Sequence, residues 1–371
     1  MTSLPLGDRP RSDVPLSGYT TLRLGGPASA FATATTSDEV VEAVRAADAA
    51  DARLLVLGGG SNLVIGDAGF DGTVVHLANR GTRVEPDDDG RVLLTVEAGE
   101  DWDQVVAGAV EAGLGGIECL SGIPGLVGAT PVQNVGAYGV EISQVLQSVD
   151  IYDRTTGEVR TLTADELGLG YRTSVLKGTD RAVVLRATFA LSDDGRSMPV
   201  RYTELARALG VRQDERVPVA DARAAVLELR RGKGMVLDPT DHDTWSAGSF
   251  FTNPIVPDEN AEAVMTRITD TVGPDVTVPR YPAGPGATKL SAAWLIERAG
   301  FTKGFTIPPG TAALSSKHTL ALTNRGTATT TDLLALATTI RTGVDKTFGV
   351  ALHPEPVLIN CTLDTPTPST P

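Results

Sequence analysis

A glycine-rich stretch in the first half of the chain carries the strongest chemical signal in the sequence. Residues 121–141 read SGIPGLVGATPVQNVGAYGVE and contain five glycines and two prolines. Neither an ordinary helix nor a strand tolerates that density, because glycine costs backbone entropy and proline lacks an N–H donor. We interpret residues 121–141, called the glycine wall below, as backbone amides against a large flat ligand. Gln133 and Asn134 favour this over a purely structural loop, since neighbouring amides suit the edge of a heterocycle.

A second glycine cluster precedes the glycine wall. An apolar strand predicted at residues 53–57 runs into Gly-Gly-Gly-Ser-Asn at residues 58–62, and another apolar run follows at residues 63–65. Backbone amides that converge in such a turn bind phosphate. The cluster lacks GxGxxG and no Gly-Lys-Ser/Thr closes it, so it is neither a dinucleotide fingerprint nor a P-loop. The alternative is a flexible turn between strands, and the glycine wall in the same half favours phosphate binding.

Three further residues have types suited to electrostatic or acid–base chemistry. Arg172 follows a glycine-flanked turn, where its fork could grip a carboxylate in bidentate fashion. Ser249 lies between a glycine and two phenylalanines, an apolar setting from which a hydroxyl could deliver a proton to carbon. Glu355 is held between two prolines as a rigid carboxylic acid. Taken singly, each has a structural alternative: a surface ion pair, a turn serine and a charged turn.

Composition limits the classes of partner. The chain has 371 residues, 41% of them hydrophobic, and a formal net charge of −14. That charge disfavours nucleic acid and anionic membranes as partners, and an anionic small molecule would need local cations. The two cysteines and four histidines show no metal-ligand spacing, so no metal is predicted. The start of the chain lacks a signal-peptide core and no run approaches the ~18 apolar residues of a membrane span, which predicts a cytoplasmic protein.

Short strand signals alternate with capped helices, which predicts an α+β fold. Thr36 and Asp101 are expected to cap helices, and residues 148–163 to form a hairpin. Further helices are predicted at 221–231, 258–272, 291–299 and 331–344, and further strands at 181–191, 319–323 and 357–360. Polar, turn-rich segments on either side of residues 202–209 predict a domain boundary. The Pro/Thr-rich tail at residues 362–371 is expected to be disordered.

Seven motifs in this order resemble those of the UDP-N-acetylenolpyruvoylglucosamine reductase family, in its subclass with a tyrosine lid loop: TTLRLGGPA, LGGGSNLVI, GIPGLVGATPVQNVGAYG, GYRTSVLK, SAGSFFTNP, KLSAAWLIERAG and HPEP. The resemblance spans residues 17–360. It implies an FAD-binding domain of the vanillyl-alcohol-oxidase type, with α+β subdomains at 17–80 and 81–195, and an α+β substrate-binding domain at 215–361. It also implies non-covalent FAD, NADPH as reductant, a monomer, and a place in peptidoglycan precursor synthesis, hence in cell-wall growth and division.

The same resemblance implies site residues. Those expected to bind FAD are Gly58, Gly59, Gly60, Ser61, Asn62, Leu63, Gly122, Pro124, Gly125, Gly128, Gln133, Asn134, Gly136 and Tyr138. Those expected to bind the nucleotide-sugar are Tyr171, Tyr202, Asn253, Tyr281, Lys289 and His318. Tyr202 matches the tyrosine of a mobile loop that closes over the nucleotide.

The implied reaction reduces the enolpyruvyl ether of UDP-GlcNAc to the lactyl ether. NADPH reduces FAD, the reduced flavin delivers hydride to C3, and Ser249 protonates C2. Arg172 and Glu355 stabilise the carbanion-like charge at C2. The sequence departs from the family at Thr252, where many relatives have lysine, at His353, where glutamate is common, and at Met235, which occupies the register of a lysine although Lys233 is close by.

Two other functions compete with this hypothesis. An FAD-linked oxidase of the same superfamily, acting on a small alcohol or sugar, would need no nucleotide-sugar pocket and would react readily with oxygen. A catalytically silent flavin or nucleotide-sugar binding protein would not need Arg172, Ser249 and Glu355 together. The SAGSFF motif and Glu355 disfavour the oxidase, and the intact trio disfavours the silent protein.

Overall fold

The computed structural model describes residues 10–87, 89–284 and 286–363, and these form two compact units built from interleaved segments. Within the described residues, the first unit comprises 10–14, 27–60 and 70–236. The second comprises 15–26, 61–69 and 237–363. The predicted tail from residue 364 onward lies outside the described residues.

The helices are α1 (Ser37–Ala49), α2 (Trp102–Glu111), α3 (Thr203–Leu209), α4 (Val219–Gly232), α5 (Asp258–Val272), α6 (Ala292–Arg298) and α7 (Thr330–Phe348). The strands are β1 (Val14–Pro15), β2 (Pro27–Ala34), β3 (Leu54–Leu57), β4 (Leu63–Ile65), β5 (Phe70–Leu77), β6 (Thr82–Pro86), β7 (Val92–Glu97), β8 (Gly136–Ala137), β9 (Val140–Glu141), β10 (Leu146–Asp153), β11 (Glu158–Thr163), β12 (Ala182–Leu191), β13 (Ile255–Pro257), β14 (Arg280–Pro282), β15 (Ala287–Leu290), β16 (Ala312–Leu314), β17 (Leu322–Asn324) and β18 (Val357–Ile359).

The first unit begins with a four-stranded sheet in the order β1-β2-β5-β3, in which β2 and β3 run parallel to β5. Helix α1 packs beside it with Val40 and Val44 fully buried. The Thr36 hydroxyl caps α1 by accepting the Glu39 N–H at 3.1 Å. The strand β3 ends directly before Gly58, so the sheet delivers the predicted phosphate loop at a strand end.

A five-stranded antiparallel sheet completes the first unit, in the order β11-β10-β12-β7-β6. The predicted hairpin is confirmed as β10 and β11, with Ser148 opposite Thr163. Trp102, the first residue of α2, is buried and packs edge-on against Phe189 of β12 with 5.7 Å between ring centroids. The Asp101 carboxylate caps α2 through the Gln104 N–H, as predicted. This packing holds α2 beside the start of the glycine wall.

Helix α4 belongs to the first unit, whereas the sequence placed the start of the C-terminal domain at residue 215. The reason is packing: Ala222 and Val226 are fully buried in the core of the first unit. A short helix that the sequence did not predict, α3, also packs against α4. The domain ranges themselves stay a prediction, and the observed units divide the chain after residue 236.

The second unit packs α5, α6 and α7 with three small sheets around a core that contains Phe250, Phe251 and Phe348. The segment 61–69 contributes β4, which pairs in parallel with β18, Leu63 lying opposite Val357. The predicted helices α5, α6 and α7 are confirmed. The strand predicted at 319–323 is wrong in its first half, because the Ala321 N–H bonds back to the His318 carbonyl in a turn, and β17 begins only at Leu322.

Candidate active site

The two glycine-rich segments meet inside the first unit. A Cβ added to Gly59 would lie 2.8 Å from the Cα of Gly125, and one added to Gly58 would lie 3.7 Å from Leu126. Gly60 and Gly125 have φ of +57° and +121°, values that side-chain-bearing residues rarely adopt. Backbone therefore lies on backbone at this place, and the two glycine-rich loops are closely packed against each other. Ser61 and Asn62 follow in the chain and lead into β4, which begins at Leu63.

The start of the glycine wall is fixed by a carboxylate on α2. The Gly122 N–H donates to Asp103 Oδ1 at 2.6 Å, and Arg223 of α4 grips both oxygens of that carboxylate at 2.6 and 3.0 Å. Burial raises the pKa of the Asp103 carboxyl, but the hydrogen bonds from Arg223 and Gly122 outweigh it and hold that pKa below its ordinary value. Farther along, a Cβ on Gly128 would lie 2.7 Å from the Cβ of Ala98. The wall is thus a rigid, closely packed surface.

Asn134 uses its side chain inside the protein. Its amide Nδ2 donates to Glu141 Oε2 and to the Gly170 carbonyl, both at 2.9 Å, while its Oδ1 accepts the Ser143 N–H at 3.0 Å. The residue is buried, and its φ is +46°. Both amide hydrogens are thus already donated within the protein, so a side-chain contact to a heterocycle edge could use only Oδ1 as an acceptor. The contribution of Asn134 to FAD binding stays a prediction.

Arg172 lies at the third position of a tight turn closed by Gly170 and Thr173, whose N–H and carbonyl groups bond to each other at 3.0 and 3.2 Å. Its φ of +53° is unusual for a residue with a long side chain. The guanidinium donates from Nη2 to the Gly136 carbonyl of the glycine wall at 2.7 Å. The guanidinium carbon Cζ lies 5.4 Å from the centre of the Tyr171 ring, which is a cation–π contact. The predicted catalytic arginine is therefore bonded directly to the backbone of the glycine wall.

Two tyrosines and a lysine form a cluster at the far end of the wall. Tyr138 and Tyr202 contact each other edge to face with 5.4 Å between ring centroids. The Lys233 ammonium lies 5.8 Å from the centre of the Tyr138 ring and pairs with the Glu204 carboxylate of α3. Burial raises the pKa of Tyr138 to about 12, so its hydroxyl stays protonated at neutral pH. Sequence register pointed to Met235 as the position of the missing lysine, whereas it is the Lys233 ammonium that contacts the Tyr138 ring.

In the second unit, the loop that carries Ser249 pairs with the segment that carries Glu355. The Glu355 N–H donates to the Phe250 carbonyl at 2.9 Å, and the Thr252 N–H donates to the His353 carbonyl at 3.0 Å. Phe250 and its neighbour Phe251 are 1% exposed. A hydroxyl and a carboxyl from distant parts of the sequence are thus held on adjoining strand-like segments over an apolar core.

Two predicted nucleotide-sugar residues are cross-strand neighbours in the sheet β13-β15-β14. Tyr281 of β14 and Ile255 of β13 both lie opposite Lys289 of β15. Directly opposed residues in antiparallel strands point to the same face, so the three form one row. Tyr281 and Ile255 are 48% and 52% exposed, which leaves an aromatic ring and an aliphatic side chain on either side of a cation.

Asn253 and His318 are half-buried residues of the same unit. Asn253 Oδ1 accepts the N–H of Ala292 at 2.9 Å, at the first residue of α6. The His318 N–H bonds to the hydroxyl of Ser315 at 3.3 Å. A buried carboxylate supports that turn, since Asp243 accepts the N–H of Ser316 at 2.9 Å.

Over the described ranges, no three His, Cys, Asp or Glu side chains group as a metal site. Nor is any helix within those ranges long and apolar enough to cross a bilayer.

Comparison with known proteins decides the family. Residues 238–359 match the model of the C-terminal domain of UDP-N-acetylenolpyruvoylglucosamine reductase, and residues 28–163 match that of an FAD binding domain. A UDP-N-acetylenolpyruvoylglucosamine reductase of Saccharopolyspora erythraea is 66% identical, over 96% of this chain and 98% of that protein. One of Thermobifida fusca is 55% identical, over 95% and 98%. The chain belongs to the UDP-N-acetylenolpyruvoylglucosamine reductase family.

A solved member of the reductase family has the same fold. The crystal structure of the Thermus caldophilus reductase is 27% identical and superposes with a TM-score of 0.63, over 95% of this chain and 99% of that one. The predicted family, the α+β class with an FAD-binding and a C-terminal domain, and FAD as cofactor are confirmed. The chain is an FAD-dependent oxidoreductase. Ser249, Glu355 and Tyr281 lie within the matched C-terminal range, while Arg172 lies between the two ranges.

Proposed function

We propose that this reductase converts UDP-GlcNAc-enolpyruvate to UDP-N-acetylmuramate in the cytoplasm, as a monomer and with NADPH as reductant. The observation that carries the proposal is the pairing of the Ser249 loop with the Glu355 segment through the 2.9 Å bond to Phe250. A proton donor and a carboxyl group that share a rigid, apolar support fit addition across a polarised double bond. Bound FAD supplies the two-electron chemistry, between NADPH and C3 of the enolpyruvyl group.

FAD fits the residues present, because the close approach of Gly59 to Gly125 gives a backbone surface that any Cβ would fill. In the proposal, the amides of residues 58–62 hold its diphosphate, and the glycine wall with Gln133 borders its ring system. The attachment is non-covalent. The Gly122 N–H donates to the Asp103 carboxylate and the Gly128 N–H donates to the Ala98 carbonyl, and these two bonds hold the wall in place.

Arg172 and Glu355 stabilise the charge that develops at C2 of the substrate and spreads into its carboxylate. A guanidinium fork matches a carboxylate geometrically and cannot lose its proton near neutral pH. The bond from Nη2 to the Gly136 carbonyl supports this role, because it fixes one arm of the guanidinium. Glu355 contributes as a carboxylic acid that shares a proton with the developing enolate.

Ser249 donates the proton that completes the reaction at C2. Ser249 is half-buried beside the buried Phe250 and Phe251, and this apolar setting supports proton delivery from its hydroxyl. The backbone bond between Glu355 and Phe250 supports a shared role for the serine and the carboxyl, since movement of one segment moves the other.

The nucleotide-sugar is bound by two groups of residues in this proposal. Lys289 and Tyr281, opposite each other in the sheet, contact one part of it, as do Asn253 and His318. Lys233 supplies the cation for its diphosphate, and Tyr202 closes over it against Tyr138. The lysine suits a negatively charged ligand in a chain whose net charge is −14.

Anaerobic spectroscopy tests the proposal on purified holoprotein. NADPH should bleach the flavin absorbance, and UDP-GlcNAc-enolpyruvate, added without oxygen, should restore it with formation of UDP-N-acetylmuramate. Recovery only on admission of oxygen would overturn the proposal in favour of an oxidase. Light scattering coupled to size-exclusion chromatography measures the molar mass in solution and so tests the proposed monomeric state.

A further inference from the structure

We propose that Asn134 is the positioning residue of Arg172: its side-chain amide holds the turn that aims the guanidinium, rather than reading the flavin. The inference rests on the proposed function, because it needs Arg172 to act on the substrate. Asn134 donates to the Gly170 carbonyl at 2.9 Å, and Gly170 closes the turn in which Arg172 lies.

The amide orientation is fixed by its surroundings. Nδ2 faces two acceptors, the Glu141 carboxylate and the Gly170 carbonyl, while Oδ1 faces the Ser143 N–H. A flipped amide would set an oxygen against both acceptors and an NH₂ against a donor. All the hydrogens on Nδ2 therefore have protein partners, which leaves none for the edge of a heterocycle.

The turn needs external support, because Arg172 has a left-handed backbone with φ of +53°. An L-residue in that region costs of order 1–2 kcal/mol relative to the right-handed one. Bonds to neighbouring segments offset this cost: Asn134 holds the Gly170 carbonyl, the Lys177 ammonium donates to the Arg172 carbonyl at 2.8 Å, and the Ser174 hydroxyl donates to the Val132 carbonyl at 2.6 Å.

Asn134 also holds the other partner of the arginine. Its bond to Glu141 fixes β9, and Glu141 lies opposite Gly136, whose carbonyl accepts the bond from Arg172. The buried Asn134 side chain thus links two segments: the turn that carries Arg172, and the β8–β9 pair whose Gly136 carbonyl accepts the bond from the guanidinium. Loss of this amide should let the guanidinium move by about an ångström, a displacement that can cost on the order of 100-fold in rate.

The test uses Asn134→Gly in the holoprotein. Glycine adopts φ of +46° without strain, so this variant removes the side-chain bonds and keeps the backbone conformation available. We expect flavin bleaching by NADPH within about twofold of wild type, and reoxidation by UDP-GlcNAc-enolpyruvate slower by about 10- to 100-fold. Asn360→Gly is the matched control: this asparagine also has a left-handed φ, of +50°, and donates to the Gly69 carbonyl in the second unit. Both half-reactions of that variant should stay near wild type.

A double-mutant cycle separates positioning from a general structural role. In an Arg172→Ala background, Asn134→Gly should slow reoxidation no further, because the group it positions is gone. An additional slowing there, or weaker FAD retention or a changed flavin spectrum in Asn134→Gly alone, would overturn the inference. Failure of wild type to reoxidise with the enolpyruvyl substrate would instead refute the proposed function, so that the two failures are distinguishable.

Discussion

The backbone N–H of Glu355 donates a 2.9 Å hydrogen bond to the carbonyl oxygen of Phe250, the residue that follows Ser249. Two segments that lie far apart in the sequence are therefore locked in one register. The next pair along, Thr252 and His353, repeats the contact. Its backbone bond of 3.0 Å is joined by the Thr252 hydroxyl, which donates to the same His353 carbonyl at 3.4 Å.

The carboxyl of Glu355 should matter separately from its backbone. Glu355→Gln keeps the bond to the Phe250 carbonyl but cannot release or share a carboxyl proton. We expect reoxidation by the enolpyruvyl substrate to fall by about 100- to 10,000-fold, the usual range for loss of an acid–base group. Stopped-flow absorbance measures it, with Glu262→Gln on the exposed side of α5 as the control for charge. Equal rates in the two variants would exclude Glu355 from the chemistry.

Gly59 should tolerate no side chain. In Gly59→Ala the new Cβ would lie 2.8 Å from the Gly125 Cα. Because that Cα belongs to the backbone, it cannot rotate away from the methyl group. We expect the purified variant to lose most of its FAD, measured as the ratio of flavin to protein absorbance. Gly108→Ala is the control, because its Cβ in α2 meets nothing within 4 Å and should stabilise the helix by about 0.5–1 kcal/mol. Full FAD occupancy in Gly59→Ala would contradict the assignment of this surface.

Lys233 should set the affinity for the nucleotide-sugar. Replacement in Lys233→Met removes a cation worth about 1.5–3 kcal/mol in a charged hydrogen bond, which corresponds to about a 10- to 100-fold higher KM. Bleaching by NADPH should not change, and Lys233→Arg should recover part of the loss. Lys303→Met alters the net charge equally at an exposed position and serves as the control. A KM shift of the same size in that control would indicate a long-range charge effect only.

The Asp103–Arg223 pair should make the stability of the first unit depend on pH at the acid end. Because the folded-state pKa of Asp103 lies below its ordinary value, the stabilisation is complete above about pH 4 and is lost as pH falls through the lowered pKa. Asp103→Asn should therefore lower the denaturation midpoint at pH 7 by an amount that shrinks below pH 4. Thermal unfolding at several pH values measures it. If the difference in denaturation midpoint between wild type and Asp103→Asn grew as the pH fell, the stabilising role of the ionised Asp103 would be contradicted.

Much of the fold was predictable from sequence because its signals are local. Caps such as Thr36 and Asp101 act within one helical turn, so they can be recognised in the sequence. The many glycines of the glycine wall likewise indicate a segment whose backbone packs closely against other groups. The missed features are those that depend on distant partners. Ala321 bonds back to His318 in a turn although its surroundings read as strand, and the strand row of Ile255, Lys289 and Tyr281 follows from pairing register.

The site residues show the same limit. Asn134 has the right type for a heterocycle edge, but only its neighbours Glu141 and Gly170 show where its hydrogens go. Counting along the chain pointed to Met235, while the end of α4 brings Lys233 to Tyr138. Residue type indicated which chemistry was present, and tertiary contacts decided which atoms can perform it.

The most direct measurement of the central claim follows the two half-reactions of Ser249→Ala in the absence of oxygen. If Ser249 donates the proton to C2, NADPH should bleach the variant at the wild-type rate, while UDP-GlcNAc-enolpyruvate should reoxidise it slower by about 100-fold or more. An equal loss in both half-reactions, or normal reoxidation, would show that the serine is structural and would contradict the account.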